Sequence, residues 1–299
     1  MFIAQSQHLG HISALAAALL WAIASIFFTR LTGSVSAHGL NLFKTGFACI
    51  MMLVTMVLLR GVIWPSHISP TGTAWLAASG ILGLAIGDTL LFEAFRRIGP
   101  RKSLLFMTLA PPITAVCAWP MLGEPLTARM AAGIGITILG VALVVDQKER
   151  TNISTTIRTG YFYAAGAAIC QALGNIGTKL GGEHDPLEMS VVRITFGTGA
   201  LILYLLYKTD VRVALSPLRK PNILKSVIIA TIIGTYLGIW LQVTSLRYAP
   251  AGIAATLSST SPLFVLPFAA IFLGDKITGR SVMAALTAIC GMLLLFLEN

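Results

Sequence analysis

The sequence predicts an all-α integral membrane protein whose ten transmembrane helices form two inverted five-helix repeats around a central cavity. Three observations support this prediction. The chain is 56% hydrophobic and only 11% charged, with a mean hydropathy of +0.84, whereas a soluble domain carries about 25% charged residues. Its apolar residues fall into ten long runs, and the second half repeats motifs of the first about 150 residues later.

Each of the ten apolar runs has the length of a membrane-spanning helix. The runs are roughly 17 to 23 residues long, the length that crosses the hydrocarbon core of a bilayer as a helix. Helices are expected because lipid offers no hydrogen-bond partner to an open strand edge. The predicted spans are 12–29, 39–60, 74–95, 102–121, 129–146, 159–178, 187–207, 226–246, 251–272 and 281–297.

Short motifs recur at matching places in the two halves of the chain. The clearest is Leu122-Gly123-Glu124, which returns as Leu273-Gly274-Asp275. Further pairs are Gly99-Pro100 with Ala249-Pro250, Pro112 with Pro262, and Lys44-Thr45-Gly46-Phe47 with Arg193-Ile194-Thr195-Phe196. We therefore predict one repeat in residues 1–150 and a second in residues 151–299. Because each repeat has five helices, an odd number, the second must cross the membrane in the opposite direction.

Lysine and arginine are concentrated in alternate loops between the predicted helices. The basic loops include 96–102 and 208–225, whereas the loops on the other side hold Arg60, Arg129, Lys179 and Arg247. Short cytoplasmic loops of membrane proteins carry this kind of positive excess. The basic side is therefore predicted to be cytoplasmic, with both chain termini outside.

Several other classes of protein are disfavoured. The pI of 9.8 is explained by the basic loops, so no nucleic-acid partner is expected. Residues 1–11 contain no Lys or Arg and so lack the basic start of a cleavable secretion signal. An intramembrane enzyme is disfavoured because the motifs HExxH and GxSxG are absent. The five histidines are too scattered for a metal site, and a channel suits the paired prolines less well than a carrier does.

On these residues the chain resembles the drug/metabolite transporter superfamily, in its ten-helix EamA-like branch. The resemblance rests on the paired Leu-Gly-Glu/Asp motifs, the prolines of the fourth and ninth helices and the Lys44/Arg193 pair, and it covers residues 12–297. Within the branch the chain is most similar to the bacterial aromatic amino-acid exporters. The resemblance implies a carrier of amino acids or related small metabolites in the bacterial inner (plasma) membrane. It also implies that helices 1, 3, 4, 6, 8 and 9 line the cavity.

Polar and aromatic residues at mid-membrane depth mark the candidate substrate site. Several form pairs four residues apart, which places both members on one face of a helix. Rings and amides together suit an amino acid with an apolar side chain, although a ring alone is equally typical of helix packing. The predicted substrate-binding residues are Trp21, Ser25, Met107, Thr108, Gln171, Asn175, Tyr236, Trp240, Ser258 and Ser259.

Prolines interrupt the fourth and ninth predicted helices. Pro111 and Pro112 lie in the middle of the fourth helix, and Pro262 and Pro267 lie in the ninth. Proline removes a backbone donor and tends to kink a helix. The pattern is typical either of static kinks or of hinges for a rocking motion, and its occurrence in both halves favours hinges.

Five ionisable residues complete the prediction. The inverted geometry places Lys44 near Asp275 and Arg193 near Glu124, so these pairs are predicted to be symmetric gate or scaffold ion pairs; alternatively, Lys44 and Arg193 extend to the membrane surface. Asp88 is a possible proton site. The resemblance implies a comparison with the small multidrug transporters of the superfamily, which have a central Glu in the first helix, whereas the first helix of this chain carries no acidic residue. We therefore favour gradient-driven export without ion coupling, and a proton-coupled metabolite or drug antiporter is the alternative.

The fifth and tenth predicted helices are rich in glycine and alanine. Small residues of this kind let helices approach closely, so these helices are predicted either to pack the two halves together or to mediate dimers. Because duplication supplies both halves in one chain, we expect a monomer in the lipid bilayer, with a small-molecule substrate and no cofactor.

Overall fold

Helices form the regular structure of this protein. The computed structural model describes residues 2–123, 126–143, 155–208, 211–249, 251–274 and 278–296, and no β-strand occurs within these ranges. The all-helical class predicted from the sequence is therefore confirmed for the described part of the chain.

Short connections join the helices. In chain order the helices are α1 (Phe2–Leu31), α2 (Ala37–Arg60), α3 (Pro70–Met107), α4 (Ala110–Leu122), α5 (Ala128–Ala142), α6 (Thr155–Leu180), α7 (Pro186–Lys208), α8 (Pro221–Tyr248), α9 (Ala251–Ser258), α10 (Ser261–Leu273) and α11 (Gly279–Phe296). α3 is kinked at Gly99, where the backbone is not helical (φ 75°, ψ 170°), and a short helix, Val211–Leu215, with a 3-10 turn, Ser216–Arg219, precedes α8. Side-chain oxygens of Ser36, Ser69 and Thr127 accept a hydrogen bond from the backbone N–H three residues on and so cap the starts of α2, α3 and α5.

Six spans among the described residues are long and apolar enough to cross a membrane. They are His8–Leu31, Ala37–Arg60, Pro70–Met107, Pro186–Lys208, Pro221–Tyr248 and Ile253–Leu273. Three shorter apolar helices are Ala110–Leu122, Ala128–Ala142 and Val282–Gly291. α6 is not among these spans, because its glycines together with Gln171 and Asn175 lower its hydropathy. The number of ten helices and their orientation therefore stay predictions.

Both α3 and α8 contain a π-helical segment. The segments are Gly80–Gly87 and Thr231–Leu237, which are equivalent positions of the two repeats. A π-helix bonds each N–H to the carbonyl five residues back, and such segments often mark functional sites. The sequence analysis did not predict these segments, although both contain glycines at matching positions.

Two equivalent helix breaks follow the π-helical segments. α3 ends at Met107 before α4 begins at Ala110, and α9 ends at Ser258 before α10 begins at Ser261. Tighter bonds to the third residue back form each break: Leu109 donates to Phe106, and Thr260 donates to Leu257. The predicted fourth and ninth helices are thus each divided into two.

The packing of the helices follows the same twofold pattern. α1 packs against α8, and its repeat equivalent α6 packs against α3. The equivalent helices α2 and α7 contact each other, as do α5 and α11. In the last pair Gly140 lies against the backbone of Ala288, and Gly291 lies against Thr137. The small residues of the fifth and tenth predicted helices therefore join the two halves.

Candidate functional site

A cavity of about 120 Å³ lies between the two halves of the chain. Its wall is built from α1, α2, α3, α4, α6, α8, α9 and α10. Both π-helical segments contribute residues to this wall, as do residues at or next to both helix breaks. The four irregular places in the helices therefore meet at one site.

Four aromatic side chains, Trp21, Phe28, Phe92 and Phe95, lie in the cavity wall. Phe28 of α1 contacts Phe92 of α3 with ring centroids 5.0 Å apart, and Phe95 lies 6.1 Å from Phe92 by the same measure. Trp21 lines the cavity while its indole Nε1 donates a 2.8 Å hydrogen bond to the carbonyl of Gly234. That bond links α1 to the π-helical segment of α8.

Three side-chain amides form a cluster at another part of the wall. Gln171 Nε2 and Gln242 Nε2 both donate to Asn175 Oδ1, at 3.2 and 3.1 Å. All three residues line the cavity. An amide carries both donors and acceptors, so the cluster offers partners for an ammonium group and for a carboxylate.

An ion pair lies at the cavity wall between α2 and α3. Lys44 Nζ is 2.5 Å from Asp88 Oδ2, and the two side chains are 5% and 20% exposed. The ammonium also lies 5.5 Å from the centroid of Phe92. The sequence analysis singled out both residues but did not pair them. The predicted pair of Lys44 with Asp275 includes a residue outside the described ranges.

Arg193 of α7 has a different environment. Its side chain is fully buried, and none of its three nitrogen atoms has a hydrogen-bond partner among the described residues. The predicted partner Glu124 lies outside the described ranges. The two repeat-equivalent cations, Lys44 and Arg193, are therefore in unequal surroundings.

The structure brings most of the predicted site residues together. The predicted residues that line the cavity are Trp21, Ser25, Lys44, Asp88, Met107, Gln171, Asn175, Ser258, Ser259 and Pro262. Others lie elsewhere in the fold. Thr108 is buried and donates to the carbonyl of Leu105, while Tyr236 and Trp240 pack against a neighbouring hydrophobic cluster around Met52. The hydroxyl groups of Tyr236 and Thr55 are 2.8 Å apart.

The predicted hinge prolines lie at or near the helix breaks. Pro111 and Pro112 begin α4, and Pro262 begins α10. Proline is tolerated at these first positions because the N–H that it lacks has no partner within the helix. Pro267 lies inside α10.

The sequence analysis did not predict the apolar residues of α3 that line the cavity. Leu91, Phe92 and Phe95 follow Asp88 at spacings of three, four and seven residues, which places all four on one face of α3. They all line the cavity. Once Asp88 was chosen as a cavity residue, this spacing was the signal that could have found them.

Comparison with known protein families identifies the family of this chain. Both halves of the chain match the EamA-like transporter family, over residues 8–146 and 158–297. The chain belongs to the EamA-like transporter family. As a member it is a transporter rather than an enzyme, and an integral membrane protein expected in the bacterial inner membrane.

Relatives of this EamA-like chain have similarly general names. An uncharacterized transporter of Archaeoglobus fulgidus is 28% identical over 290 residues, which cover 95% of this chain and 96% of the relative. The uncharacterized transporter YyaM of Bacillus subtilis is 27% identical over 166 residues, 55% of this chain and about half of that relative's length (54%). A protein of known crystal structure shares the fold, with a TM-score of 0.72 and 16% identity over 95% of both chains. None of these names states a substrate.

Proposed function

We propose that this transporter exports amino acids, aromatic and other neutral ones, together with related small metabolites. The observation that carries the proposal is the cavity itself. It sets aromatic rings beside a hydrogen-bonded amide cluster and an ion pair, all within one wall. An apolar pocket with a few convergent polar groups is the usual form of a small-molecule site.

The chemistry of the wall matches the two ends of an amino acid. Trp21, Phe28 and Phe92 offer rings to an apolar side chain. The amides of Gln171 and Asn175 offer oxygen atoms to the ammonium group and N–H groups to the carboxylate. The volume of about 120 Å³ is close to that of an engineered cavity of about 150 Å³ that binds benzene.

We further propose that the ten predicted helices form two inverted repeats, residues 1–150 and 151–299, with both termini outside. The paired π-helical segments, the paired helix breaks and the two family matches support two equivalent units. The distribution of Lys and Arg among the loops supports the inversion. Because both units lie in one chain, the functional unit is a monomer.

Transport in this proposal occurs by alternating access, is driven by the substrate gradient and is not coupled to an ion. Among the described residues whose side chains line the cavity, Asp88 is the acidic one, and it is already paired with Lys44. A second candidate function uses this same residue. Because Asp88 reaches the cavity, it could exchange a proton there and couple export to a proton gradient.

The test is uptake of labelled tryptophan, phenylalanine and threonine by liposomes that contain the purified protein. Without any ion gradient we expect saturable uptake that stops when the concentrations inside and outside are equal. Uptake that starts only after a pH gradient is imposed, and that Asp88→Asn abolishes, would replace our proposal with proton antiport. No uptake of the three amino acids under either condition would reject amino acids as the substrate class.

A further inference from the structure

Arg193 is a buried cation without a counter-ion in contact among the residues that the structure describes. It is 0% exposed, and none of its Nε, Nη1 and Nη2 atoms has a hydrogen-bond partner in the part of the chain that the structure describes. A guanidinium has five N–H donors, and burying a charge without partners is costly. A protein keeps such a group where another state of the molecule, or a ligand, satisfies it.

Asp88 is an acidic residue on the helix that Arg193 faces. Arg193 Nη2 faces the π-helical segment of α3, since a Cβ built on Gly83 would lie 3.8 Å from it. Asp88 follows Gly83 by five residues, and its backbone N–H donates to the Gly83 carbonyl. Asp88 is therefore one π-helical turn from the place that Arg193 faces.

The two halves supply two cations but one acid at these positions. Lys44 and Arg193 are equivalent in the repeats, and each lies on the helix that follows the first of its half. Matching Gly87 with Gly238 makes Ile239 the equivalent of Asp88. Ile239 is apolar and 3% exposed, so Arg193 has no equivalent of the carboxylate that Lys44 binds.

We propose that Arg193 is a second binding site for the Asp88 carboxylate, occupied when the transporter opens to the opposite side of the membrane. The proposal rests on the alternating access of the proposed function. In the conformation described, Asp88 binds Lys44. In the opposite conformation Asp88 leaves Lys44 and binds Arg193, so one acid serves two symmetry-related cations in turn.

The π-helical segment provides the means of exchange. Its carbonyls at Leu84 and Ala85 accept hydrogen bonds of 2.8 and 3.0 Å from Asn41 Nδ2 of α2. If the segment converts to an α-helix, the Asp88 N–H bonds Leu84 in place of Gly83. The helix beyond then turns by about one residue, roughly 100°, and carries Asp88 away from Lys44.

Two similar substitutions are predicted to shift the conformation of the transporter in opposite directions. Arg193→Leu removes the second site, so it holds the protein in the described conformation. Lys44→Leu removes the first site, so it holds the protein in the opposite conformation. Arg60→Leu is the matched control, because it removes an ion pair with Asp185 whose arginine side chain is 50% exposed.

The conformation is measured by labelling one cysteine in the cavity wall. The four native cysteines are replaced by alanine, Ser259→Cys is introduced, and vesicles of each orientation are treated with a membrane-impermeant thiol reagent without substrate. We expect Arg193→Leu and Lys44→Leu to shift the ratio of labelling from the two sides in opposite directions, each by about fivefold or more. Arg60→Leu should leave the ratio unchanged, and Arg193→Lys should restore it.

Other outcomes are distinguishable. Shifts in the same direction, or no shift for Arg193→Leu, would overturn the exchange of Asp88. Labelling from one side alone in every variant would overturn alternating access and with it the exchange. Opposite shifts in a protein that takes up none of the tested amino acids would leave the exchange supported and reject the substrate proposal. Thermal unfolding of each variant checks that it is folded before its labelling is compared.

Discussion

At the scale of single residues, Trp21 lines the cavity and also links the two repeats by a hydrogen bond. Its ring lies in the cavity wall, while its Nε1 donates to Gly234 on the opposite repeat. Trp240, which the sequence analysis chose with equal weight, packs beside Met52 and Tyr236 and does not line the cavity. Substitutions of the two tryptophans can therefore be compared, one at the cavity and one away from it.

We predict that Trp21→Ala lowers tryptophan uptake about tenfold, because an aromatic contact contributes about 0.5–1.5 kcal/mol beyond its buried area. Trp240→Ala is the control and should change uptake less than about twofold by the same reasoning. Initial rates are measured per amount of folded protein in liposomes. Equal losses in the two variants would contradict the assignment of Trp21 to the site.

The amide cluster has Asn175 at its centre. Its Oδ1 accepts from Gln171 and from Gln242, so one substitution removes both hydrogen bonds. Asn175 is 2% exposed, so removing its amide changes the polarity of a buried part of the cavity wall.

We predict that Asn175→Leu raises the KM for amino acids about tenfold, because the proposed hydrogen bond between Asn175 and the substrate is lost and such a bond contributes about 0.5–1.5 kcal/mol. The maximal rate should change less than the KM, since the amides bind substrate and do not move the helices. Asn222→Leu, at the exposed start of α8, is the control. An unchanged KM would show that the cluster is only a packing contact.

At the scale of elements, glycines let α1 and α8 approach closely. A Cβ on Gly238 would lie 2.5 Å from Trp21 Nε1, and a Cβ on Gly234 would collide with Ala24. Equivalent glycines of α3 face α6, where a Cβ on Gly87 would lie 3.1 Å from the Cβ of Cys170. The first helix of each repeat, α1 or α6, therefore packs against the π-helical segment of the other repeat.

Gly238→Ala is predicted to destabilise the protein by about 1–3 kcal/mol, the usual cost of overpacking. Gly199→Ala on α7 is the control, because a Cβ added at Gly199 would meet nothing within 4 Å, and alanine is the better helix former. The measurement is thermal unfolding in detergent. A Gly238→Ala variant as stable as the control would contradict the close approach of α1 and α8.

The prolines at the helix breaks belong to the same scale. Pro262 begins α10 immediately after the break, whereas Pro120 lies within α4 away from a break. Proline in a helix interior is less favourable than alanine by about 3 kcal/mol. Alanine at Pro262 therefore favours an unbroken helix from α9 into α10.

If the break is a hinge, Pro262→Ala should slow the maximal transport rate several-fold while the KM changes little. Pro120→Ala is the matched control and should transport as the wild type does. Rates are compared at saturating substrate in liposomes. A wild-type rate for Pro262→Ala would assign the break to static shape and not to movement.

At the scale of the whole molecule, the helical class and the two equivalent units could be predicted from the sequence. Apolar run length and composition predict helices directly, and matched motifs predict two equivalent units. The π-helical segments could not be predicted, because glycine spacing of this kind is equally typical of close helix packing. The Lys44–Asp88 ion pair was not predicted, because the sequence analysis placed the partner of Lys44 in a loop of the other repeat. Asp88 instead lies on the next helix of the same repeat.

The measurement that tests the central claim most directly is counterflow. Liposomes containing the protein are loaded with unlabelled tryptophan and diluted into a trace of labelled tryptophan, with no ion gradient. A carrier with its substrate site in the central cavity accumulates label transiently above the outside concentration, and Asn175→Leu reduces that accumulation while Asn222→Leu does not. Absence of any overshoot in the wild type, or an overshoot equal in both variants, would contradict the account.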